Sequence, residues 1–491
     1  MNIRKYKIAY KGSVKNLRIV KKPTNRAPGV YLFEFTDDYS IFDYGKMPDE
    51  LKDKGSSMAM LTAFIFEKME DPASWRKLDA SGAFQRIGNR QFLDRIFSSR
   101  TFKTLKREGM KTHYRGLIND EGKRIKFKDL RKPVNLVEVT AVNIIHPERA
   151  QILGQSVWNY LAMRAGTMDH LIPLENVFRF GLPKGSSFFS RMEIIPGYME
   201  RVGLKSKPAE GDWLDMPIME FFSKLEPGDR FLDVEKALNF SGLDNEEFSE
   251  LSDRVLLSAL FLLDLFAGAK IELWDGKFEF LKSRGMILLG DAITPDEFRL
   301  MSGAVQISKE PIRQYYKKSD QAFMEDLKLS KEKAKTDARN IRRILKEDFN
   351  REPAPMSAEF KSIAEEMYRA LFSSITGSSM FEGSMPISEV VEKLRGFAGI
   401  FELFLLGIGQ LGELDAAAQE LGGVGINLIR HQIAFLNRLL QRIVGGGQFF
   451  HAVEEPEGVA VDLVHRGGGK THLQAVEPFK NILVAVIDGA V

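Results

Sequence analysis

Apolar and polar residues alternate along the first forty positions of the chain, as in residues 29–35, and Pro and Gly interrupt the alternation. A period of two with β-branched and aromatic residues is typical of strands. Residues 57–69 place apolar side chains at helical spacing, which predicts a helix. Residues 135–145 predict another strand, and we expect a helix through Trp158 and Met163 after it.

The pattern becomes more helical further along the chain. Residues 246–267 form a long helical pattern, which leads into a predicted β-hairpin of residues 270–280 and 284–289. Residues 330–349 predict a highly charged amphipathic helix, and we interpret its charged side as a solvated face rather than a nucleic-acid site. The hairpin matters most, because charged residues recur along it at every second position.

Composition excludes several kinds of chemistry and partner. The chain of 491 residues has no cysteine, so disulfides, thiolate metal sites, iron–sulfur clusters and cysteine nucleophiles are excluded. Its 70 basic and 67 acidic residues nearly cancel, and no basic stripe interleaved with aromatics predicts a nucleic-acid partner. The first twenty residues lack the apolar core of a secretory signal, which together with the missing cysteines favours a cytoplasmic protein.

The two most apolar stretches, residues 255–269 and 397–411, are interrupted by Asp264 and Glu402. Both are shorter than the ~20 residues that cross a bilayer, so we interpret them as buried helices and expect no membrane partner. Residues 401–491 differ from the rest, since they hold 6 of the 70 lysines and arginines. We expect a boundary there, followed by a Gly-rich, Lys-poor tail of unknown fold, either a separate interaction module or a segment with no evolved fold.

The hairpin carries the strongest candidate site. Side chains two apart on a strand share one face, so Asp275, Lys277 and Glu279 would project together. Pairing of the returning strand would bring Asp291 near Glu279. Two carboxylates beside a lysine suit Mg²⁺ and a nucleotide, because Mg²⁺ takes one or two carboxylates plus phosphate oxygens. The alternative is a solvent-facing edge strand, where such alternation is common.

Two further segments carry groups that bind phosphate. An apolar strand leads from Arg179 to a loop with Lys184, Gly185 and Ser186, and a serine hydroxyl with an arginine is a common phosphate grip. Near the N-terminus, residues 11–15 (Lys-Gly-Ser-Val-Lys) place a glycine between lysines, which can cover nucleotide phosphates. Each segment alone is common in proteins, so neither indicates a phosphate-binding site unless the other segments are considered with it.

Taken in order, these segments resemble the SAICAR synthetase family, the ligases that couple aspartate to carboxyaminoimidazole ribonucleotide. The resemblance runs from about residue 10 to about residue 316 and includes both signature stretches of the family. The residues that match the signatures are Pro173, Leu174, Glu175, Val177, Phe178, Arg179, Gly185, Ser186, Asp275, Lys277, Phe278, Glu279, Phe280, Gly290, Asp291, Thr294, Pro295, Asp296 and Arg299. Segments 217–227 and 308–316 are also similar.

The resemblance implies an α+β fold. Its parts would be an N-terminal antiparallel β-sheet domain, like a kinase small lobe or an ATP-grasp domain, and a larger C-terminal α/β domain, with the ATP cleft between them. On this basis we expect an ATP-binding domain at residues 1–170, a catalytic domain at 171–345, a helical extension at 346–400 and the tail at 401–491.

The resemblance also implies an activity, the ATP-dependent ligation of L-aspartate to carboxyaminoimidazole ribonucleotide through an acyl-phosphate in purine biosynthesis. ATP and Mg²⁺ would be the cofactors. The implied roles are nucleotide binding by Lys11, Gly12, Lys15 and Lys277, magnesium binding by Glu279 and Asp291, ribonucleotide binding by Arg179, Ser186 and Arg299, and catalysis by Lys277, Asp275 and Asp296. The identity of the general base stays open, with Asp296 as a candidate.

Some features depart from the family pattern. They are Ser13 in place of a lysine, Leu281 in place of a glycine, Trp274 in place of a small aliphatic residue, a loop at 180–184 that is about one residue longer, and additional residues at 105–135 and after 345. Two alternatives stay open, a phosphotransferase with another acceptor and a non-catalytic nucleotide-binding homologue. The sequence also leaves open whether the chain forms a homo-oligomer.

Overall fold

The computed structural model describes residues 6–164, 169–226, 228–334, 337 and 339–397, and the backbone of three strands between residues 449 and 475. The chain forms two compact units, residues 1–391 and residues 392–491. The first unit combines helices with antiparallel sheets, so the predicted α+β class is confirmed. The predicted domain boundaries at 170, 345 and 400 stay predictions.

The first unit begins with an antiparallel sheet and a long helix. The elements are β1 (Ile8–Lys11), β2 (Lys15–Lys21), β3 (Gly29–Phe35), β4 (Asp38–Ser40), β5 (Lys46–Glu50), α1 (Lys54–Glu70), α2 (Pro72–Trp75), α3 (Arg90–Ser98), α4 (Arg100–Glu108), β6 (Tyr114–Ile118), β7 (Arg124–Ile125) and β8 (Leu136–Ala141). Six strands form one sheet in the order β1-β2-β3-β8-β6-β7, and β4 pairs with β5. Helix α1 packs on this sheet, where Leu32 and Val137 are fully buried, as the alternating pattern predicts.

A second antiparallel sheet follows. The elements are β9 (Glu148–Ile152), β10 (Gln155–Asn159), α5 (Leu161–Arg164), β11 (His170–Leu171), β12 (Leu174–Gly181), α6 (Ser187–Ile194), α7 (Tyr198–Arg201), β13 (Trp213–Ser223), β14 (Phe231–Leu232), α8 (Val234–Ser241), α9 (Asn245–Gly268), β15 (Glu272–Ser283), β16 (Met286–Gly290), β17 (Phe298–Ser302) and β18 (Val305–Ile307). The strand order is β14-β13-β12-β15-β17-β18, and β11 and β16 also pair with β15. Helix α9, at the predicted place, packs against β12 and β15.

Strand β15 lies inside this sheet. It pairs with β12 on one side and with β17 on the other, so the interpretation as a solvent-facing edge strand is wrong. The predicted hairpin is confirmed, because β16 returns along β15 with Glu279 opposite Gly290. Gly276 is required at its place in the strand, since a Cβ atom there would lie 2.2 Å from the Phe298 ring.

Strand β16 also connects the two sheets. The backbone N–H of Leu289 donates to the carbonyl of Lys111 (2.9 Å), and the N–H of His113 donates to the carbonyl of Leu289 (2.9 Å). The residues just before β6 therefore pair with the strand that ends immediately before Asp291.

The prediction of a helix through Trp158 and Met163 is wrong. Trp158 lies in β10, which forms a hairpin with β9, and α5 is a single helical turn. Leu153 and Gly154 close the hairpin with positive φ angles of 50° and 77°. Two left-handed residues match the twist of the flanking strands, which explains why the chain turns back here.

After β18 the chain continues in four helices up to residue 376. They are α10 (Lys309–Ser319), α11 (Gln321–Lys333), α12 (Ile341–Asp348) and α13 (Ala358–Thr376). The prediction of one helix over residues 330–349 is wrong, because α11 ends before α12 begins. Asn340 starts a new helix there by accepting the backbone N–H of Arg343 (2.9 Å).

In the second unit, the described strands are β19 (Phe449–Glu455), β20 (Gly458–Val464) and β21 (Lys470–Ala475), which form an antiparallel sheet in that order. The buried helix predicted at 397–411 lies almost wholly outside the described residues. Within the described part of the chain, every helix is too short or too polar to cross a membrane.

Candidate active site

A cleft in the first unit collects five of the eleven predicted site residues. Its walls come from the loop after β4, from β12, β15 and β17, and from the first turns of α10. Of the predicted residues, the cleft is lined by Arg179, Asp275, Lys277, Asp296 and Arg299. The register of β12 and β15 places Asp275 opposite Arg179, so these two elements present their charged residues on one face.

One end of this face is a tightly paired cluster around Asp275. The guanidinium groups of Arg179 and Arg299 both donate to its carboxylate, the latter over 2.7 Å. Arg179 also donates to Glu220, which in turn pairs with Arg191 (2.8 Å). Burial alone would raise the pKa of Glu220, but the two arginines lower it below its usual value. The cluster therefore keeps Glu220 an anion and fixes both carboxylates in position.

The middle of the face is built around Lys277. Its ammonium group pairs with Glu175 (2.9 Å) and with Glu297 (3.5 Å). Glu175 also accepts from Lys224 (2.8 Å). Burial opposes the charged form of Lys277, but the surrounding carboxylates raise its pKa above the usual value, so it stays a cation.

The other end of the face holds the predicted magnesium ligands. Lys224 donates to Glu279 (2.7 Å), and Lys15 forms an ion pair with Asp291. Burial and the neighbouring Asp291 raise the pKa of Glu279 to about 7. Burial would also raise the pKa of Asp291, but Lys15 and Lys224 lower it below its usual value. Two carboxylates thus lie close together and are balanced by lysines.

This pair fits a Mg²⁺ ion. The mutual repulsion of Glu279 and Asp291 favours a cation between them, and Mg²⁺ usually takes one or two carboxylates and completes its shell with water and phosphate oxygens. Among the described residues, no group of three or more His, Asp or Glu side chains is arranged to hold a metal. Two carboxylates alone suit an ion that a nucleotide also ligates.

The backbone at Asp291 is held from the first sheet. Asp291 has a φ of 54°, a left-handed conformation that is uncommon for this residue type. The His113 ring, as the Nε2–H tautomer, donates to the Asp291 carbonyl (2.7 Å). Burial lowers the pKa of His113 to about 4, so the ring is neutral near pH 7.

The predicted glycine loop is the turn between β1 and β2. The Gly12 N–H donates to the Lys15 carbonyl (3.0 Å), and a Cβ atom at Gly12 would lie 2.6 Å from that oxygen. The tight turn brings Lys15 to Asp291, with its ammonium group 4.8 Å from the centre of the Phe33 ring. Lys11 is exposed at the end of β1.

The remaining predicted residue, Ser186, is buried at the start of α6. Its hydroxyl accepts the backbone N–H of Phe188 (3.4 Å) as an N-cap, and its neighbour Ser187 lines the cleft. Gly185 in the preceding loop has a φ of 76°, which favours glycine.

Four charged residues of the site and one neutral histidine were not predicted as site residues from the sequence. They are Glu175, Glu220, Lys224, Glu297 and His113. Glu175 matched a family signature but was assigned no role. Glu220 and Lys224 stand in or next to the otherwise apolar stretch that forms β13. A charge inside a strand buried on both faces is a signal that could have identified them.

Comparisons with known proteins identify the family of this chain. The family model of SAICAR synthetase matches residues 9–330. A relative from Archaeoglobus fulgidus, provisionally named a phosphoribosylaminoimidazole-succinocarboxamide synthase, is 30% identical over 390 residues, which are 78% of this chain and 98% of the relative. The enzyme of that name from Thermoplasma acidophilum is 25% identical over 295 residues, which are 58% of this chain and 77% of the relative.

A solved SAICAR synthase from Saccharomyces cerevisiae, complexed with SAICAR, is 19% identical and covers 76% of this chain and 95% of its own, with a TM-score of 0.43. The sequence matches place the chain among the carbon–nitrogen ligases. It belongs to the SAICAR synthetase family, the ATP-dependent ligases of purine biosynthesis.

Proposed function

We propose that this chain joins L-aspartate to carboxyaminoimidazole ribonucleotide, with ATP as the activating substrate and Mg²⁺ as the cofactor. The observation that carries the proposal is the charged face of β15, where Asp275, Lys277 and Glu279 follow one another and Asp291 completes the far end. Family membership over residues 9–330 supports the same reaction. A cytoplasmic location stays a prediction from composition.

The reaction needs activation, because a carboxylate would have to expel oxide when an amine attacks it. Transfer of the terminal phosphoryl group of ATP to the carboxylate oxygen releases ADP and leaves an acyl-phosphate. The aspartate amine then attacks the acyl carbon, the carbon–oxygen bond breaks, phosphate departs and the amine loses a proton.

Different residues near β15 would bind the phosphates of ATP and the magnesium ion. Lys15, at the tight turn after Gly12, and Lys277 would bind phosphate oxygens, and Lys11 would approach from the exposed end of β1. Glu279 and Asp291 would hold Mg²⁺, which when bound would offset negative charge on the ATP phosphates. Binding of the ion would free Lys15 and Lys224 to face phosphate instead of carboxylate.

The substrate groups would lie toward the Asp275 end. Arg299 keeps about one fifth of its side chain exposed (20%), while the Arg179 side chain is 5% exposed and pairs with two carboxylates. Arg299 is therefore the more accessible partner for an anionic substrate group. In this proposal Arg179 fixes Asp275, and Ser186 orders the start of α6 near the same wall of the cleft.

The buried carboxylate of Asp296 is better suited to binding than to accepting a proton. Its carboxylate is buried, and burial would raise its pKa, but Lys54 and Lys309 lower the pKa below the usual value. A carboxylate with a lowered pKa is a weak base near pH 7. We therefore favour Asp296 as an anion that orients the aspartate amine over Asp296 as the acceptor of its proton.

The test is the release of phosphate from ATP with carboxyaminoimidazole ribonucleotide, measured with and without L-aspartate. Aspartate-dependent release is expected from the wild type, and Glu279→Gln should lower it about 10²–10³-fold, the range for loss of one preorganised electrostatic group. Glu272→Gln is the matched control, because Glu272 begins the same strand and is paired on the surface with Arg86.

The other outcomes separate the alternatives. Phosphate release that does not depend on aspartate would indicate another acceptor. Binding of ATP without any turnover would indicate a non-catalytic homologue. Equal losses of aspartate-dependent phosphate release in Glu279→Gln and Glu272→Gln would contradict a specific role of Glu279.

A further inference from the structure

Helix α13 lies beyond residues 9–330 that match the family, yet it contacts the beginning of α1. Glu365 accepts the backbone N–H of Lys52 (3.1 Å), and the Arg369 guanidinium donates to Asp53 (2.9 Å). Both contacts secure the residues immediately before Lys54. The extension therefore bears directly on a part of α1 that reaches the cleft.

Between these two contacts on α13, Tyr368 points into the molecule. The side chain is fully buried, and its hydroxyl donates to Oδ1 of Asp296 (2.7 Å). The ammonium group of Lys54 lies 5.0 Å from the centre of the Tyr368 ring and 3.0 Å from Oδ2 of Asp296. Tyr368, Lys54 and Asp296 thus form a closed triangle, with one corner on α13, one on α1 and one on the cleft wall.

The triangle leaves Asp296 little freedom. The hydroxyl of Ser308 donates to the same Oδ1 oxygen (3.1 Å), and the Lys309 ammonium group lies 4.0 Å from Oδ2. Asp296 is nevertheless part of the cleft lining, beside Lys277 and Arg299. Its orientation in the cleft is therefore set by groups behind it, and α13 supplies one of them.

We propose that Tyr368 is a positioning residue of the active site, which holds Asp296 and Lys54 in place for the aspartate-binding end of the cleft. The helical extension is then a working part of the catalytic unit and not an appended segment. This inference rests on the proposed function for the identity of the substrate, while the positioning itself does not depend on it.

The test compares Tyr368→Phe with Tyr114→Phe in the full chain. Tyr114 is the matched control, because it is also buried and its hydroxyl also donates over 2.7 Å to a carboxylate, that of Glu67 on α1, which is not part of the cleft lining. Tyr368→Phe should lower kcat/KM for L-aspartate about tenfold, as expected for loss of one hydrogen bond to a charged group, while KM for ATP changes less than twofold. Tyr114→Phe should leave both values unchanged.

Hydrogen exchange supplies a readout that needs no turnover. In Tyr368→Phe, amide exchange should accelerate at residues 294–298 and 52–57, and in Tyr114→Phe it should not. Equal kinetics in the two variants, or unchanged exchange at 294–298, would overturn the inference. A wild type without aspartate-dependent release would count against the proposed function, and the exchange comparison would still decide the role of Tyr368.

Discussion

The two ends of the charged face on β15 hold their buried carboxylates with different cations. At one end, Asp275 is held by the guanidinium groups of Arg179 and Arg299. At the other end, Glu279 faces a second carboxylate, and the balancing charges are ammonium groups of lysines. In the first cluster each carboxylate pairs with two guanidinium groups, whereas in the second the neighbouring Asp291 and burial still raise the pKa of Glu279 despite its lysine partner.

The difference follows from the chemistry of the two cations. A guanidinium group is planar, always charged and donates in a fixed fork, so it fixes the geometry of its partner. An ammonium group is a compact point charge on a flexible stem, which can move from carboxylate to phosphate. Arginines therefore suit the end that must keep its shape, and lysines suit the end where we propose that an ion and a nucleotide bind.

The largest expected effect is on the arginine end. Arg179→Met should lower the free energy of unfolding by about 3–5 kcal/mol, because it breaks two buried ion pairs and leaves Glu220 and Asp275 with one guanidinium partner each. Urea denaturation with and without Mg²⁺ measures this loss, and Mg²⁺ should not restore it. Arg343→Met, which removes a surface pair with Glu347, is the control and should leave the denaturation midpoint in place.

The second effect concerns the pH dependence of the carboxylate pair. The pKa of Glu279 in the folded chain is raised to about 7 from an ordinary 4.5, so ionising this group opposes folding. Its stabilising contribution is complete below pH 4.5 and is lost as the pH rises through 7. In EDTA, Glu279→Gln should therefore be more stable than wild type by about 2–3 kcal/mol at pH 8 and equal to it at pH 4.5. If the free energies of unfolding of the two proteins changed with pH in parallel, the raised pKa of Glu279 would be contradicted.

The smallest effect tests whether lysine and ion are exchangeable. Lys224→Met should lower the free energy of unfolding by about 1–3 kcal/mol in EDTA, because Glu175 and Glu279 lose a charged donor. Addition of Mg²⁺ should recover part of this loss through binding at Glu279 and Asp291. Thermal unfolding at several Mg²⁺ concentrations provides the measurement. If Mg²⁺ recovers none of the lost stability, the lysine end would respond to the ion no more than the arginine end does, which would contradict the comparison.

Local patterns predicted much of this site. The period of two along β15 correctly placed Asp275, Lys277 and Glu279 on one face, and the hairpin correctly brought Asp291 to Glu279. These inferences succeed because strand geometry and a short turn are properties of neighbouring residues.

The partners of those residues come from elsewhere in the chain and could not be predicted in the same way. Lys15 reaches Asp291 from a residue 276 positions away, and Lys54 and Tyr368 reach Asp296 from two different helices. The helix predicted through Trp158 failed for a more local reason, since two left-handed residues turn that segment into a hairpin. Apolar spacing alone does not reveal such a turn.

The short strand β16 has a consequence for folding kinetics. The backbone of Asp291 is fixed only when residues around His113 pair with the end of this strand, and His113 and Asp291 are 178 positions apart. Closing so long a loop is entropically costly and is slow compared with hairpin or helix formation. The hairpin alone brings Asp291 beside Glu279, but the contact that holds the Asp291 backbone should form late, so that a chain still in the course of folding has the proposed ion ligands without their fixed geometry.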